Sequence, residues 1–373
     1  MGMSNGIAQA LIEQAKQDRS PITVNFELLP VCNLDCKMCY IRTDMAAVKK
    51  NGGLISADEW LRLAGELHRA GTLFILLTGG EVFLYPRFRY LYEELVKMGF
   101  VLTINTNGSL IDEETAAWLK QFPPKCVSMS LYGASNETYE ALCGQKGLFD
   151  RVDRAITALQ NAGIAVECKT MLNPLNVQDM QACLRYCRSR NISYELATYA
   201  FPPVRKAEDS SQIRFTPSQA AQAQLAVNRL LSSRDQFDQT ILEHLQKYAA
   251  GKQLPGHQQY GLSCSAANTS CWINWQGRMT PCAMLNEPYT LPFRQGFAAS
   301  WEELKEKTDA LCLSPDCSFC PKRTVCTVCP AASYAETGSI CGTSRYHCEM
   351  TDTLLREMEA YVKENDLTLR KQP

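Results

Sequence analysis

Over residues 22–199, short apolar runs alternate with longer segments whose apolar residues recur every three or four positions. The short runs predict strands, and the longer segments predict amphipathic helices. Strands are predicted at 22–29, 73–77, 101–105, 127–131, 165–172 and 192–199, and helices at 56–71, 87–98, 112–121, 148–162 and 177–188. Regular alternation of strands with helices predicts an α/β fold with a parallel sheet covered on both faces.

Chemically capable residues stand at the carboxyl ends of these predicted strands. Cys32 follows the first strand, Gly79-Gly80-Glu81 follows the second, and Asn107 follows the third. Glycines allow the backbone to approach a ligand closely, and the carboxylate of the adjoining Glu81 can bind an ammonium group. Ligands of parallel sheets gather at the carboxyl ends of the strands. The sequence therefore predicts a binding site at this edge.

The second half of the chain changes character after the last predicted strand. Three segments follow: a loop at 201–216, a helix at 217–233 and connecting sequence at 234–260. His257 and Tyr260 lie in the connecting sequence and have no assigned role. Cysteines dominate from Cys264 onwards, and a last helix is predicted at 352–364. The expected units are an extension at 1–21, a core at 22–233, a bridge at 234–263, a cysteine-rich domain at 264–350 and a helix with its tail at 351–373.

Composition narrows the possible environments. Lys and Arg total 38 against 39 Asp and Glu, so no global field attracts nucleic acid or anionic lipid. We predict no membrane span, and residues 1–20 lack the apolar segment of a signal peptide. A cytoplasmic location is expected, where thiols stay reduced and the 18 cysteines do not form disulfides. Five cysteines are scattered and predict buried thiols: Cys126, Cys143, Cys168, Cys183 and Cys187.

Cys32, Cys36 and Cys39 have the spacing C-x3-C-x2-C directly after the first strand. Three thiolates can hold three corners of a [4Fe–4S] cluster and leave the fourth iron open for a ligand. The alternative is a cysteine stripe on one face of a helix. Pro30 and the polar neighbours of the cysteines disfavour that alternative.

A second group of cysteines also has metal-binding spacing. Cys317-x2-Cys320-x5-Cys326-x2-Cys329 offers two pairs that can each bind one ion or cluster. From these spacings alone, structural zinc and iron–sulfur clusters are equally supported.

The motif Cys32-Asn-Leu-x-Cys36-x-x-Cys39-Tyr40, after a strand that ends Glu-Leu, resembles the radical S-adenosylmethionine (SAM) enzymes. The resemblance implies a partial (β/α)6 barrel in which SAM completes the cluster and is cleaved to a 5′-deoxyadenosyl radical. Met38 replaces the usual aromatic residue, and its thioether can still pack on adenine. By the same resemblance the SAM contacts are Met38, Tyr40, Gly79, Gly80, Glu81, Asn107 and Ser130, with Lys169 able to reach a carboxylate.

Two departures from the family pattern concern these contacts. Val82 stands where the family usually has proline, and Tyr132 stands where it usually has aspartate. For Asn107 a turn-forming role is an equal alternative. For Lys169 the alternative is a solvated or ion-paired side chain.

The C-terminal cysteines resemble the SPASM extension, which holds two auxiliary [4Fe–4S] clusters. The resemblance implies a near cluster at Cys264, Cys271, Cys282 and Cys329 and a far cluster at Cys317, Cys320, Cys326 and Cys348. Cys271 falls outside the minimal pattern, and without it the near cluster keeps an open iron. Cys341 can replace Cys348, which is expected just before the final helix. Cys312 has no assignment.

The resemblance implies an enzyme that modifies peptides oxidatively, most simply by a thioether or carbon–carbon crosslink. Ala283 disfavours sulfatase maturation, which needs aspartate after the cysteine equivalent to Cys282. No catalytic base is assigned, because buried structural roles are expected for Glu27, Glu167 and Glu195. The alternatives are a dehydrogenase of a small molecule, such as an amino sugar or cyclitol, and a non-catalytic metal-binding scaffold.

The expected partners are a peptide or protein substrate and an external electron donor of the flavodoxin or ferredoxin type. Some twenty residues precede the first predicted strand, so a leader-peptide domain is expected to be absent. A separate protein would then bind the leader, or the barrel and the bridge would recognise it.

Overall fold

The computed structural model describes residues 5–203, 213–253 and 261–367. The described strands are β1 (Thr23–Glu27), β2 (Phe74–Thr78), β3 (Val101–Thr106), β4 (Cys126–Ser130), β5 (Val166–Met171), β6 (Ser193–Ala197), β7 (Ser270–Ile273) and β8 (Met279–Thr280). They form one sheet in the order β6-β5-β4-β3-β2-β1-β7-β8. The first six lie side by side in chain order, and each pair is parallel. The predicted parallel α/β core is therefore confirmed.

Helices connect these strands and continue into the C-terminal half. They are α1 (Asn5–Asp18), α2 (Met45–Lys50), α3 (Ala57–Arg69), α4 (Phe88–Lys97), α5 (Glu113–Gln121), α6 (Asn136–Cys143), α7 (Leu148–Asn161), α8 (Met180–Ser189), α9 (Pro217–Leu231), α10 (Arg234–Gly251), α11 (Pro292–Gln295), α12 (Phe297–Asp309), α13 (Pro315–Ser318), α14 (Pro330–Thr337) and α15 (Arg345–Glu364). No described helix combines the length and the apolar character that a membrane span requires.

The core between the sheet and its helices follows from strand alternation. Val24 and Phe26 of β1 are fully buried on the helix-covered face, and the Phe26 ring lies 4.4 Å from the Trp60 ring of α3. Complete burial of a phenylalanine side chain contributes about 1.5–3 kcal/mol. At the start of α3, Ser56 and Glu59 form the predicted capping box. The opposite face of the strands lines the barrel interior.

Strand β7 carries the cysteine-rich region into the barrel sheet, a feature that the sequence did not predict. It pairs in parallel with β1, with Cys271 opposite Val24 and Trp272 opposite Asn25. The indole N–H of Trp272 donates to Glu27 Oε2 at 2.8 Å. Glu27 is fully buried, in agreement with its expected structural role. The C-terminal domain is therefore attached to the barrel through a shared sheet.

Several helices depart from the sequence prediction. The bridge was predicted as connecting sequence, whereas α10 occupies most of it. Few apolar residues of α10 are buried, notably Phe237 and Ile241, so its periodic signal is weak. Its packing against α15, where Tyr361 Oη donates to Asp238 Oδ1 at 2.8 Å, supplies the missing stabilisation. The helices α1, α2 and α6 were not predicted either.

The final helix also begins earlier than predicted. Cys348 lies in the first turn of α15, after the N-cap Ser344, and not before the helix as expected. Part of the predicted loop, residues 204–212, lies outside the described residues, as do residues 254–260 with His257 and Tyr260.

Two glycines at the end of β2 allow the chain to pass directly against the loop that carries the first cysteines. The N–H of Gly80 donates to the carbonyl of Leu29 at 2.7 Å, and the N–H of Glu81 donates to the carbonyl of Val31 at 2.9 Å. A Cβ atom on Gly80 would lie 2.2 Å from the Val31 oxygen, and one on Gly79 would lie 2.5 Å from the Leu29 oxygen. The glycines therefore permit contact between two backbones, in addition to any approach to a ligand.

The substitution Gly80→Ala is expected to lower the free energy of unfolding by about 1–3 kcal/mol, because the added methyl group overlaps a backbone oxygen. Gly65→Ala is the matched control. Gly65 lies inside α3, and a Cβ there would meet Arg69 Nη1 at 3.8 Å. The control is expected to raise stability by about 0.5–1 kcal/mol, because alanine favours a helix. Urea unfolding followed by circular dichroism measures both, and a Gly80→Ala protein as stable as the wild type contradicts this packing.

Candidate functional site

A cavity of about 270 Å³ opens at the carboxyl ends of β2 to β5, beneath the loop that follows β1. Ten of the predicted site residues line it: Cys32, Cys36, Met38, Cys39, Tyr40, Gly79, Gly80, Asn107, Ser130 and Lys169. Phe201 and Met284, from segments that follow the sixth strand, also line it. The structure therefore brings the N-terminal motifs together with residues from later segments of the chain.

The first three cysteines lie in a non-helical loop, so the alternative of a helical cysteine stripe is excluded. The N–H of Leu34 donates to Cys32 Sγ at 3.4 Å, and the N–H of Arg42 donates to Cys39 Sγ at 3.3 Å. Hydrogen bonds of this kind stabilise sulfur in its thiolate form. The backbone around the loop is thus arranged to support thiolate ligands.

Burial opposes ionisation of the same thiols. It raises the pKa of Cys32 to about 11. A hydrogen bond to Cys143 Sγ at 3.4 Å, together with burial, raises the pKa of Cys36. Such thiols are protonated at neutral pH unless a metal takes the place of the proton. Soft, partly buried sulfur donors with N–H support fit an iron–sulfur cluster.

The spacing of these ligands bears on the kind of metal. Among the described residues, no three His, Cys, Asp or Glu side chains approach closely enough to hold one metal ion. A [4Fe–4S] cluster binds each cysteine at a different iron, so its ligands stand farther apart than those of one zinc ion. Three cysteines on one loop are compatible with such a cluster.

Asn107 connects the end of β3 to the cysteine loop. Its Nδ2 lies 3.6 Å from Cys32 Sγ and donates to Asn33 Oδ1 at 3.0 Å. Its Oδ1 accepts from the hydroxyl of Ser109 at 2.6 Å. Asn107 therefore does more than form the turn before a glycine, because it lines the cavity and holds Cys32.

Glu81 occupies a different place from the one its motif suggested. Its carboxylate is fully buried and does not line the cavity. It accepts hydrogen bonds from Thr106 Oγ1 at 2.7 Å, from the N–H of Asn107 at 2.9 Å and from the N–H of Phe83 at 3.2 Å. Burial raises the pKa of Glu81. In this geometry the side chain fixes the end of β3.

Lys169 lines the cavity and forms ion pairs with two glutamates. Its Nζ lies 3.1 Å from Glu167 Oε1 and 3.3 Å from Glu195 Oε2. The ion-paired alternative considered from the sequence therefore describes this lysine. The carbonyl of Ser130, on the neighbouring strand, accepts from Tyr139 Oη at 3.2 Å.

Sequence reasoning missed Asn105, which faces the same cavity from β3. Its Oδ1 is buried and has no hydrogen-bond partner among the described residues. Asn105 precedes Asn107 by two positions, so the period of a strand could have placed it on the interior face. Phe201 and Met284 had no comparable signal, because long-range folding brings them to the site.

The predicted far set of thiols comes together at one small cavity. Its lining includes Cys317, Cys320, Cys326 and Cys348, together with Lys322 and Arg323. Burial, with the neighbouring sulfurs Cys326, Cys348 and Cys320, raises the pKa of Cys317 to about 11. Four sulfurs around one space beside two cations suit an anionic cluster. Cys348, and not Cys341, completes this set.

Three of the four cysteines predicted for the near set interact with one another. Burial, with the adjacent Cys329 and Cys264, raises the pKa of Cys282 to about 11, while N–H groups of Met284 and Leu285 lower it. Cys271 stands apart from them. It is wholly buried in the main hydrophobic core, and burial raises its pKa.

Strand alternation explains the position of Cys271. Trp272 turns toward Glu27 in the barrel interior, so its neighbour Cys271 faces the helix-covered side with Val24. The structure therefore assembles Cys264, Cys282 and Cys329 and leaves Cys271 in the core.

Part of this chain matches a known family model, and the chain resembles several known proteins in sequence. Residues 26–187 match the family model described as the radical SAM superfamily. The subtilosin biosynthesis protein AlbA of Bacillus subtilis is 24% identical over 278 residues, which cover 73% of this chain and 57% of AlbA. The AdoMet-dependent heme synthase of Methanosarcina barkeri is 22% identical over 341 residues, which cover 86% of this chain and 94% of the synthase.

Among solved structures, Streptococcus suis SuiB bound to the precursor peptide SuiA has the same fold. The TM-score is 0.66 at 16% identity, covering 93% of this chain and 82% of SuiB. The residues that match the radical SAM superfamily model, 26–187, contain the three-cysteine loop and the strands that line the cavity.

Proposed function

We propose that this chain is a radical SAM enzyme that oxidatively modifies a peptide, forming a thioether or carbon–carbon crosslink in a ribosomally made substrate. The observation that carries the proposal is the shared cavity, in which the three-cysteine loop and Met284 line one space. Met284 follows Cys282 of the near thiol set by two residues. A substrate held in this cavity would contact both the cysteine loop and the segment that follows Cys282.

The residues of the N-terminal motif fit a [4Fe–4S] cluster and SAM. Cys32, Cys36 and Cys39 would hold the cluster, and SAM would bind in the adjoining cavity. When bound, the cluster supplies the electron that cleaves SAM and so makes a hydrogen-abstracting radical available. The protein binds, orients and shields these groups.

We divide the residues in and around the cavity into those that would contact SAM and those that position these contacts. Met38 and Tyr40 would pack against the adenosyl part of SAM, and Gly79, Gly80, Asn107 and Ser130 offer polar groups along the same wall. Glu81 supports Asn107, and we assign it a positioning role. Lys169 would make its part of the cavity polar. Its positive charge would be balanced by Glu167 and Glu195.

The auxiliary thiols suit the oxidative half of the reaction. A substrate radical that becomes a crosslinked product must lose an electron, and clusters held by these thiols would provide an acceptor. We propose that Cys317, Cys320, Cys326 and Cys348 hold the far cluster. Cys264, Cys282 and Cys329 would hold the near cluster, and Cys271 is a core residue.

A peptide substrate agrees with two of the compared proteins. AlbA is named for the biosynthesis of a bacteriocin, and SuiB was solved with a precursor peptide. We propose that a flavodoxin or ferredoxin supplies the electrons and that the chain works in the cytoplasm. A separate leader-binding protein would present the peptide where the barrel itself does not.

A small-molecule substrate is the second candidate. The match to the heme synthase spans 94% of that enzyme, whereas the match to AlbA spans 57% of AlbA. A tetrapyrrole substrate would also contact Met284 in the cavity. The two candidates differ in what is consumed together with SAM.

The direct test uses anaerobically reconstituted protein with SAM and dithionite. Formation of 5′-deoxyadenosine is expected, and candidate precursor peptides encoded beside the gene should lose two hydrogen atoms per crosslink, as read by mass spectrometry. Consumption of a porphyrin with no change in any peptide would favour the second candidate. Protein that binds iron and sulfide but never cleaves SAM contradicts both.

The substitution Asn107→Ala removes the donor near Cys32 Sγ. A loss of about 10- to 100-fold in the rate of SAM cleavage is expected, as for other groups that orient metal ligands. Asn51→Ala is the control, because Asn51 Nδ2 donates to the Ala47 carbonyl at the exposed end of α2. Equal rates in the two variants, measured as 5′-deoxyadenosine formed, would refute the role of Asn107.

The substitution Cys271→Ala tests the ligand set of the near cluster. Iron and sulfide content, with the electron paramagnetic resonance spectrum, should match the wild type, while Cys282→Ala should lose the iron of one cluster. Cys168→Ala controls for lost packing, because Cys168 is a fully buried thiol of β5. Equal iron loss in the Cys271 and Cys282 variants, but not in the Cys168 variant, would show that Cys271 is a ligand.

A further inference from the structure

Cys312 and Cys341 belong to neither thiol set, yet they face each other. Their Sγ atoms lie 3.9 Å apart, and Cys341 Sγ lies 3.2 Å from the carbonyl oxygen of Cys312. We propose that these two thiols form a reversible disulfide, a redox modification site separate from the clusters. The proposal rests on their geometry and does not require the proposed reaction.

Hydrogen bonds between the two loops fix the relative positions of the thiols. Thr343 Oγ1 donates to Ser314 Oγ at 2.7 Å and lies 3.0 Å from Asp316 Oδ2. Gly342 lets the chain fold back on the end of α14, because a Cβ atom there would lie 2.0 Å from Thr337 Oγ1. The position of Cys341 is therefore set by packing.

Bond formation needs only a small movement. A disulfide has a sulfur–sulfur distance of about 2.05 Å, so the two sulfur atoms must approach by about 2 Å. Cys341 is exposed to solvent and Cys312 is half-buried. The exposed thiol is therefore the one that a soluble oxidant reaches first, and its neighbour is placed to resolve the intermediate.

The reaction balances with a low-molecular-weight disulfide as the oxidant. The Cys341 thiolate attacks one sulfur of the oxidant, which forms a mixed disulfide and releases one small thiol. The Cys312 thiolate then attacks Cys341 Sγ, which forms the internal disulfide and releases the second small thiol. Two protein thiols are oxidised, and the small disulfide accepts the two electrons.

The position of the bond along the chain gives it a consequence. The ring closed between residues 312 and 341 contains four cluster cysteines: Cys317, Cys320, Cys326 and Cys329. A disulfide restricts the unfolded states of the segment it closes. The oxidised protein is therefore expected to release auxiliary iron to a chelator several-fold more slowly than the reduced protein.

The experiment treats the full chain, with its metals bound, with mixtures of oxidised and reduced glutathione under argon. Free thiols are then blocked with N-ethylmaleimide, and peptides are mapped by mass spectrometry. The expected result is a linked pair of peptides containing Cys312 and Cys341, with the iron content unchanged. Cross-linking that appears only in step with iron loss overturns the proposal, as does its absence in fully oxidised glutathione.

Variants separate the two steps. Cys312→Ser is expected to stop at glutathione attached to Cys341, and Cys341→Ser is expected to give neither product and no slowing of iron release. Cys126→Ser is the control, because this half-buried thiol lies alone on β4 near Thr103, and cross-linking should be unaffected. Glutathione retained on Cys341 of the wild type without a cross-link contradicts the resolving role of Cys312.

Discussion

The site depends on the direct backbone contact between the loops that follow β1 and β2. Gly80 and Glu81 donate to the carbonyls of Leu29 and Val31, and no larger residue than glycine fits at position 80 without movement. This contact sets where the cysteine loop begins, and Asn107, supported by Glu81, then holds Cys32 from the neighbouring strand. The cysteines proposed as metal ligands are thus positioned by the edge of the sheet, although they lie on a loop.

A second constraint couples the C-terminal domain to this edge. Strand β7 pairs with β1, so the cysteine-rich segment begins as part of the barrel sheet. Trp272 faces Glu27 in the interior, which turns Cys271 toward the core, while the chain after Cys282 brings Met284 to the cavity. The strand pairing therefore buries Cys271 in the core, and the chain that follows brings Met284 to the cavity.

Much of the barrel could be predicted from the sequence, because each strand and helix carries its own periodic signal and the motif cysteines are close in the chain. Asn107 and Ser130 were expected near the ligand from the family resemblance, and both line the cavity. Long-range pairing could not be predicted: β7 is a short strand within a cysteine-rich segment, and α10 depends on its contact with α15. Glu81 shows a further limit, because its residue type fits a ligand contact and only its burial reveals a supporting role.

We propose that the loop with Cys32, Cys36 and Cys39 holds a cluster with one iron left open for SAM. Electron paramagnetic resonance of the reduced protein, recorded before and after addition of SAM, shows whether SAM binds at this cluster. We expect a cluster signal whose shape changes with SAM and a loss of that change in Cys36→Ala. A signal that SAM leaves unaltered, or zinc in place of iron at this loop, would show that the loop does not hold such a cluster.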